Sequence, residues 1–194
     1  LSTLQCGRLL MTLGNLYADL NLYREAETYY QDARGQMVQL NEPNSQAIIR
    51  ANMARLYIDM GQPARASQLL DTLLATPSLS PHYRAIVLGY QAMVFNARAD
   101  WHSAWRSLEE AQAIYDRLDS PQAASRLTEI RARTLLGRGE KQLALQLLME
   151  HTAPLSMDGR AMQARLLADL GRYPEAYGAM TRYMQYYKQH FNQT

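Results

Sequence analysis

Four histidines, one cysteine and one adjacent acidic pair are the side chains with which this sequence could do metal, nucleophilic or acid-base chemistry. His82, His102, His151 and His190 lie far apart, and none pairs with another His or Cys at helical spacing, so no zinc-type ligand set is present. Cys6 stands alone, which excludes an intrachain disulfide and a multi-cysteine metal site and permits a reducing compartment. Glu109 and Glu110 are neighbours on a helical stretch and point in different directions, so they cannot act on one substrate atom as acid and base. Gly137-Arg138-Gly139-Glu140-Lys141 has the glycines and lysine of a phosphate loop. Its spacing is wrong, however, and Gln142 stands where a Ser or Thr would follow the lysine. The expectation is no catalytic residue, no metal and no cofactor.

The cationic side chains are more informative. Among 20 basic residues only Lys141 and Lys188 are lysines. Arginine makes planar, bidentate contacts suited to ion pairs between helices or to an anionic ligand. A net charge of +2 lacks the dense basic patch that nucleic-acid binding needs. No apolar run approaches the roughly 20 residues of a membrane span, and the first residues lack a basic-then-apolar targeting pattern. A cytoplasmic location is expected, or a periplasmic one if the chain is a fragment that lacks an upstream signal peptide. With 47% hydrophobic and 20% charged residues, a chain of 194 residues has ample material for a core.

The elements that position these groups are repeats. Alanines 26, 66, 104, 144 and 176 sit in matching surroundings, at spacings of 40, 38, 40 and 32. Five residues before each stands Asn21, Gly61, Ala99, Gly139 or Gly171, and all but Ala99 tolerate the left-handed conformation that ends a helix. Nine before come Tyr17, Tyr57, Phe95, Leu135 and Leu167; twelve before come Gly14, Ala54, Ala92, Ala132 and Ala164. Small and large residues three apart share a helix face, so the small one admits a neighbouring helix and the large one fills the gap beside it. Tyr30, Leu70, Leu108, Leu148 and Met180, four after each alanine, continue an apolar stripe onto a second helix. Pro43, Pro81 and Pro121 keep one register with the alanines, and Ser80-Pro81 and Ser120-Pro121 read as helix caps followed by a first-turn proline.

Ten helices are therefore expected near 3–20, 23–40, 43–60, 63–75, 81–98, 101–118, 121–137, 140–151, 155–170 and 173–191, with no strand. They form five hairpins, near 3–40, 43–75, 81–118, 121–151 and 155–191. Each buries only part of its apolar face, so the reading is one all-α domain spanning 1–194, a right-handed α-solenoid.

Leu13-Gly14, Tyr17, Ala26, Tyr30 and Ala33 resemble the tetratricopeptide repeat signature. The second repeat keeps Tyr57, Gly61 and Ala66, and the third keeps Phe95, Ala104 and Ala111. The period exceeds the family's usual 34. Longer repeats of this kind are similar to regulatory regions of bacterial signalling proteins, including maltose-activator-type transcription factors and sensor regions of some diguanylate cyclases. The resemblance implies a non-catalytic interaction module whose first helices line a concave groove that takes a protein or peptide. Eleven residues before each repeat alanine lie Asn15, Arg55, Met93, Arg133 and Arg165; fourteen before lie Thr12, Asn52, Tyr90, Ile130 and Met162. With Asn96 and Arg126 added to residues of these two registers, the expected groove set is Asn15, Asn52, Arg55, Tyr90, Met93, Asn96, Arg126, Arg133 and Arg165. Such donors suit an acidic or carboxylate-bearing segment. The other reading of the arginines is ordinary ion pairing with Asp19, Asp59, Glu129 and Asp169.

The family's mode of clamping a terminal carboxylate is disfavoured, because Met11, Ile86 and Tyr90 occupy its basic positions. Trp101 reads as a cap at the stack interface and Trp105 as a partly exposed contact. Ala176, Met180, Tyr183, Tyr187 and Phe191 form a terminal stripe that either caps the stack or continues into a dimerising or signal-transmitting helix. Two alternatives to the groove binder stay open: a small-ligand sensor controlling an output domain, and a homodimerisation scaffold acting through the last helix.

Overall fold

Asn21 (φ 59°), Gly61 (71°), Ala99 (57°), Gly139 (84°) and Gly171 (75°) all take the left-handed backbone conformation. Around each, the same two hydrogen bonds form. Gly61 N donates to Ile58 O at 2.9 Å and Gln62 N to Tyr57 O at 2.7 Å, and the bonds at Asn21, Ala99, Gly139 and Gly171 repeat this pattern. This double closure satisfies the carbonyls that a helix end leaves open. The five predicted turns are thus built on one geometry, including the turn at Ala99, the residue least suited to it. A left-handed alanine costs about 1–2 kcal/mol. Glycine removes that strain and gives back part of the gain as chain entropy, so Ala99→Gly should stabilise by about 1 kcal/mol. A higher urea midpoint with unchanged slope is the expected result.

The computed structural model describes residues 2–40, 43–120, 123, 127–152 and 154–191. Ten helices of more than one turn lie among them, and no strand. They are α1 (Thr3–Asp19), α2 (Tyr23–Gln39), α3 (Pro43–Asp59), α4 (Pro63–Leu74), α5 (Pro81–Ala97) and α6 (Trp101–Arg117), then α7 (Leu127–Gly137), α8 (Lys141–Glu150), α9 (Met157–Asp169) and α10 (Tyr173–Phe191). Pro121 and Arg126 fall outside the described residues, as do the side chains of Tyr187 and Phe191. The chain divides into two compact units, Leu1–Asp119 and Ser120–Thr194. No helix among the described residues is long and apolar enough to cross a membrane.

In the first unit α1 pairs with α2, α3 with α4 and α5 with α6, while α2 packs on α3, α4 on α5 and α3 on α5. In the second, α7 pairs with α8, α9 with α10, and α8 packs on α9. The five repeat alanines are buried, together with Tyr30, Leu70, Leu108 and Leu148 on the same second helices. Gly14 shows why a small residue is needed opposite them: a Cβ there would lie 2.6 Å from Cδ1 and Cε1 of the Tyr30 ring. The large residue that closes on Gly14 thus comes from α2, across the hairpin. Tyr17, three residues on along α1, sets its ring 4.9 Å from the ring of Tyr29 on α2 and so fills space between the same two helices.

Helix starts vary in chemistry. Ser2 and Gln5 make a reciprocal capping box. Ser80 holds the N-cap position ahead of Pro81, but its side chain caps nothing. Helix α9 starts at Met157, two residues later than the spacing suggests, because Ser156 caps it by accepting from Gly159 N at 3.1 Å.

Candidate functional site

Helices α1, α3 and α5 lie side by side in the first unit, and their repeat register sets Asn15, Asn52 and Tyr90 in line. Asn15 Oδ1 accepts two bonds, from Tyr30 Oη at 2.7 Å and from Asn52 Nδ2 at 3.1 Å. Asn52 Oδ1 in turn faces the Tyr90 hydroxyl at 3.5 Å, the outer limit of a hydrogen bond. The result is a polar ladder running across three successive first helices and anchored to α2 through Tyr30. Burial pushes the Tyr30 phenol far above its ordinary pKa, so it remains a hydrogen-bond donor. The Asn15 amide nitrogen takes no partner in this ladder, and the residue is exposed.

Arg55 stands beside the ladder with its side chain half exposed. Its pairing to Asp59 is a long 3.7 Å contact one helical turn away. An exposed pair of this kind contributes about 0.3–0.5 kcal/mol and does not immobilise the guanidinium. Partial desolvation disfavours its charge, but the acidic groups around it, Tyr90, Asp59, Asp19 and Tyr30, outweigh that and hold its pKa above the ordinary value. Met93 is partly exposed, whereas Asn96 is buried and offers a partner almost no surface.

Within the second unit, Arg133 is exposed and lies 3.7 Å from Asp158. Arg165 is exposed too, and its charge helps lower the pKa of Asp169, though the larger cause there is the hydrogen bond from Lys141 at 2.8 Å. Glu129 is not a counter-ion for these arginines. Its carboxylate accepts from Ser156 N at 2.6 Å and from Ser156 Oγ at 2.5 Å, so it sits at the positive N-terminus of α9. Gly159 provides the room: a Cβ there would come 2.6 Å from Glu129 Cδ.

Two features of the molecule lie outside the sequence-based set. Tyr57 donates to Glu27 Oε1 at 2.6 Å and receives Arg65 Nη2 at 2.9 Å, with the guanidinium 4.0 Å over its ring. Burial first, and then the bond to Glu27, push its phenol up to about 12. This cluster ties α2, α3 and α4 together. The second feature is an open hollow of about 530 Å³ in the second unit, lined among others by Gln142, Gln146, Met149, Leu170 and Arg172. Repeat spacing does not signal it, because it forms between α8 and the turn that opens α10.

Hairpins joined by one turn geometry and one small-residue register define an all-α helical-repeat protein of the solenoid class. Residues 5–76, which span the first two hairpins, match the tetratricopeptide repeat family. Its fold is similar to the nearly identical TPR-like repeats of a kinesin light chain candidate from Podosopora anserina, in a single-substitution variant. That likeness has a TM-score of 0.59 and 19% identity over 94% of each chain. BtubC (BKLC) from P. vanneervenii is similar with a TM-score of 0.62 and 16% identity, over 100% of this chain and 85% of that one. At these identities the likeness speaks to fold alone. No curated protein matches the sequence. Tetratricopeptide repeats are in general non-catalytic modules of protein–protein interaction.

Proposed function

We propose that the first unit binds an extended, acidic protein segment along the face made by α1, α3 and α5, as the cytoplasmic regulatory region of a bacterial signalling protein. The observation that supports this is the ladder Asn15–Asn52–Tyr90 with Arg55 beside it. Its rungs hold one another in place, so the Asn15 amide is positioned before a partner arrives, while the half-exposed Arg55 guanidinium beside it is only loosely paired and can turn to an anion. A peptide backbone lying across the rungs offers carbonyls to the amide, and an acidic side chain offers a carboxylate to the arginine.

The test is fluorescence anisotropy with a labelled glutamate-rich peptide. Arg55→Glu should weaken binding by about tenfold to a hundredfold, the size of one charge-assisted hydrogen bond, with helicity unchanged. Equal binding by wild type and Arg55→Glu would sink the reading. Arg133→Glu and Arg165→Glu, tested separately, report whether the second unit contributes.

The hollow beside α8 favours a second reading, a small-ligand sensor. Its volume of about 530 Å³ falls within the usual range of ligand pockets, with amide and guanidinium groups among its apolar walls. A specific rise in melting temperature with a metabolite or nucleotide, and none with peptides, would favour this sensor over the groove.

A further inference from the structure

The second hairpin departs from its neighbours at the end away from its turn. Helices α2 and α6 each run for 17 residues, whereas α4 stops after 12 and residues 75–80 lead on to α5. The position sixteen before the repeat alanine holds Leu10 in the first hairpin and Leu88 in the third, both packed inwards. In the second it holds Arg50. Beside the shortened α4 this arginine borders a hollow of about 110 Å³, which is also lined by Asn44, Thr76 and Ser78 and by the buried Leu73 and Leu79.

Arg50 is partly buried and, among the described residues, has neither a hydrogen bond nor an ion pair. Other arginines in comparable places are satisfied. Arg160, in the same register of the fifth hairpin, donates Nε to Leu155 O at 3.1 Å, and Arg84, close by on α5, donates Nη2 to Leu74 O at 3.0 Å. No carboxylate is among the lining residues. A cation partly withdrawn from water with no counter-charge is unfavourable unless an anion joins it. Further donors are at hand. Gln46 Nε2 and Thr76 Oγ1 are spent on Met37 O and Thr72 O, but the Ser78 hydroxyl and the Asn44 amide are bonded to no described residue.

We infer that this hollow binds a small oxyanion of the phosphate class, either inorganic phosphate or the phosphate of a small monoester. The guanidinium can engage two oxygens at once, and the hydroxyl and amide, which come from different segments, can donate to the others. Size decides against a whole nucleotide, since pockets for such ligands begin at about 300 Å³. Asn44 and Ser78 are exposed, so the group enters from solvent and the organic part of a monoester stays outside.

The test is an amide NMR titration of the full chain with inorganic phosphate, at ionic strength held constant with chloride. Resonances of residues 44–50 and 76–79 should shift and saturate, with a Kd of about 1 mM. Arg50→Leu restores the residue type of the first and third hairpins, so the fold should persist while Kd rises at least about tenfold. Arg50→Gln, which stays polar, should do the same, and Arg24→Gln, exposed on α2, should leave Kd unchanged. A parallel titration with glycerol 3-phosphate separates the two sources: tighter binding than inorganic phosphate supports a monoester, weaker binding the free ion. Shifts that grow linearly without saturating overturn the inference, because kosmotropic anions act on any protein in that way. Equal saturation in both Arg50 variants overturns it too, and acetate binding as tightly as phosphate overturns the assignment to phosphate. None of these outcomes bears on peptide binding through Arg55.

Discussion

Truncating Tyr30 to alanine should destabilise the chain by about 3–5 kcal/mol, the range for removing a buried aromatic side chain. The ring is 2% exposed, closes over Gly14 and holds the root of the polar ladder through its bond to Asn15. Tyr30→Phe keeps the ring and loses only the bond, and it should cost about 1 kcal/mol. For a chain of this size, the alanine variant should melt roughly 10 °C lower. A fall no larger than that of the phenylalanine variant would mean that the ring does not seat on Gly14.

Gly14→Ala probes the same contact from the other side, and here two effects compete. Alanine gains about 0.8–1 kcal/mol over glycine within a helix. Against that, its Cβ would sit 2.6 Å from two atoms of a rigid, buried ring, and overpacking of this sort costs about 1–3 kcal/mol. The clash should win, with a net loss of about 1–2 kcal/mol. Gly35, on α2, has nothing within 4 Å of its missing Cβ, so Gly35→Ala should stabilise by about 0.5–1 kcal/mol. In a Tyr30→Ala background the penalty at position 14 should vanish and the sign reverse. Urea midpoints for the four chains of the cycle measure that coupling directly.

The turns were legible in the sequence because glycine and asparagine have few other reasons to recur five residues before a buried alanine. Helix pairing followed from them. What the spacing could not convey was which large residue faces which small one. Tyr30 continues the apolar stripe of α2 by its spacing, and only the crossing of α1 and α2 sets its ring over Gly14. The candidate site was legible by position and less so by chemistry. Asn15, Asn52 and Tyr90 share one face as expected, but much of their bonding capacity is spent on one another, and Asn96 is buried. Glu129 could not be assigned from spacing either. It lies on the same helix as Arg133, yet its partner is the cap of α9, twenty-seven residues away in sequence. Met180 fits the buried stripe by register and is exposed because no described element packs over it.

The closure of each hairpin has a further consequence for how a chain of this kind can change length. Leu22, Gln62, Asp100, Glu140 and Arg172 each donate the bond that finishes a first helix, and the second helix begins at the next residue. No residue is spare between them. One inserted there would turn everything downstream by about 100° around its axis and rotate the packing face away from its partner. Length changes therefore fall beyond the turn, in the far end of the second helix, which has 17 residues in α2 and α6 but 12 in α4 and 10 in α8, and in stretches between hairpins such as Ala75–Ser80. The sequence carries that history: the distance from turn residue to repeat alanine is five in every hairpin, while the distance from one alanine to the next ranges from 32 to 40.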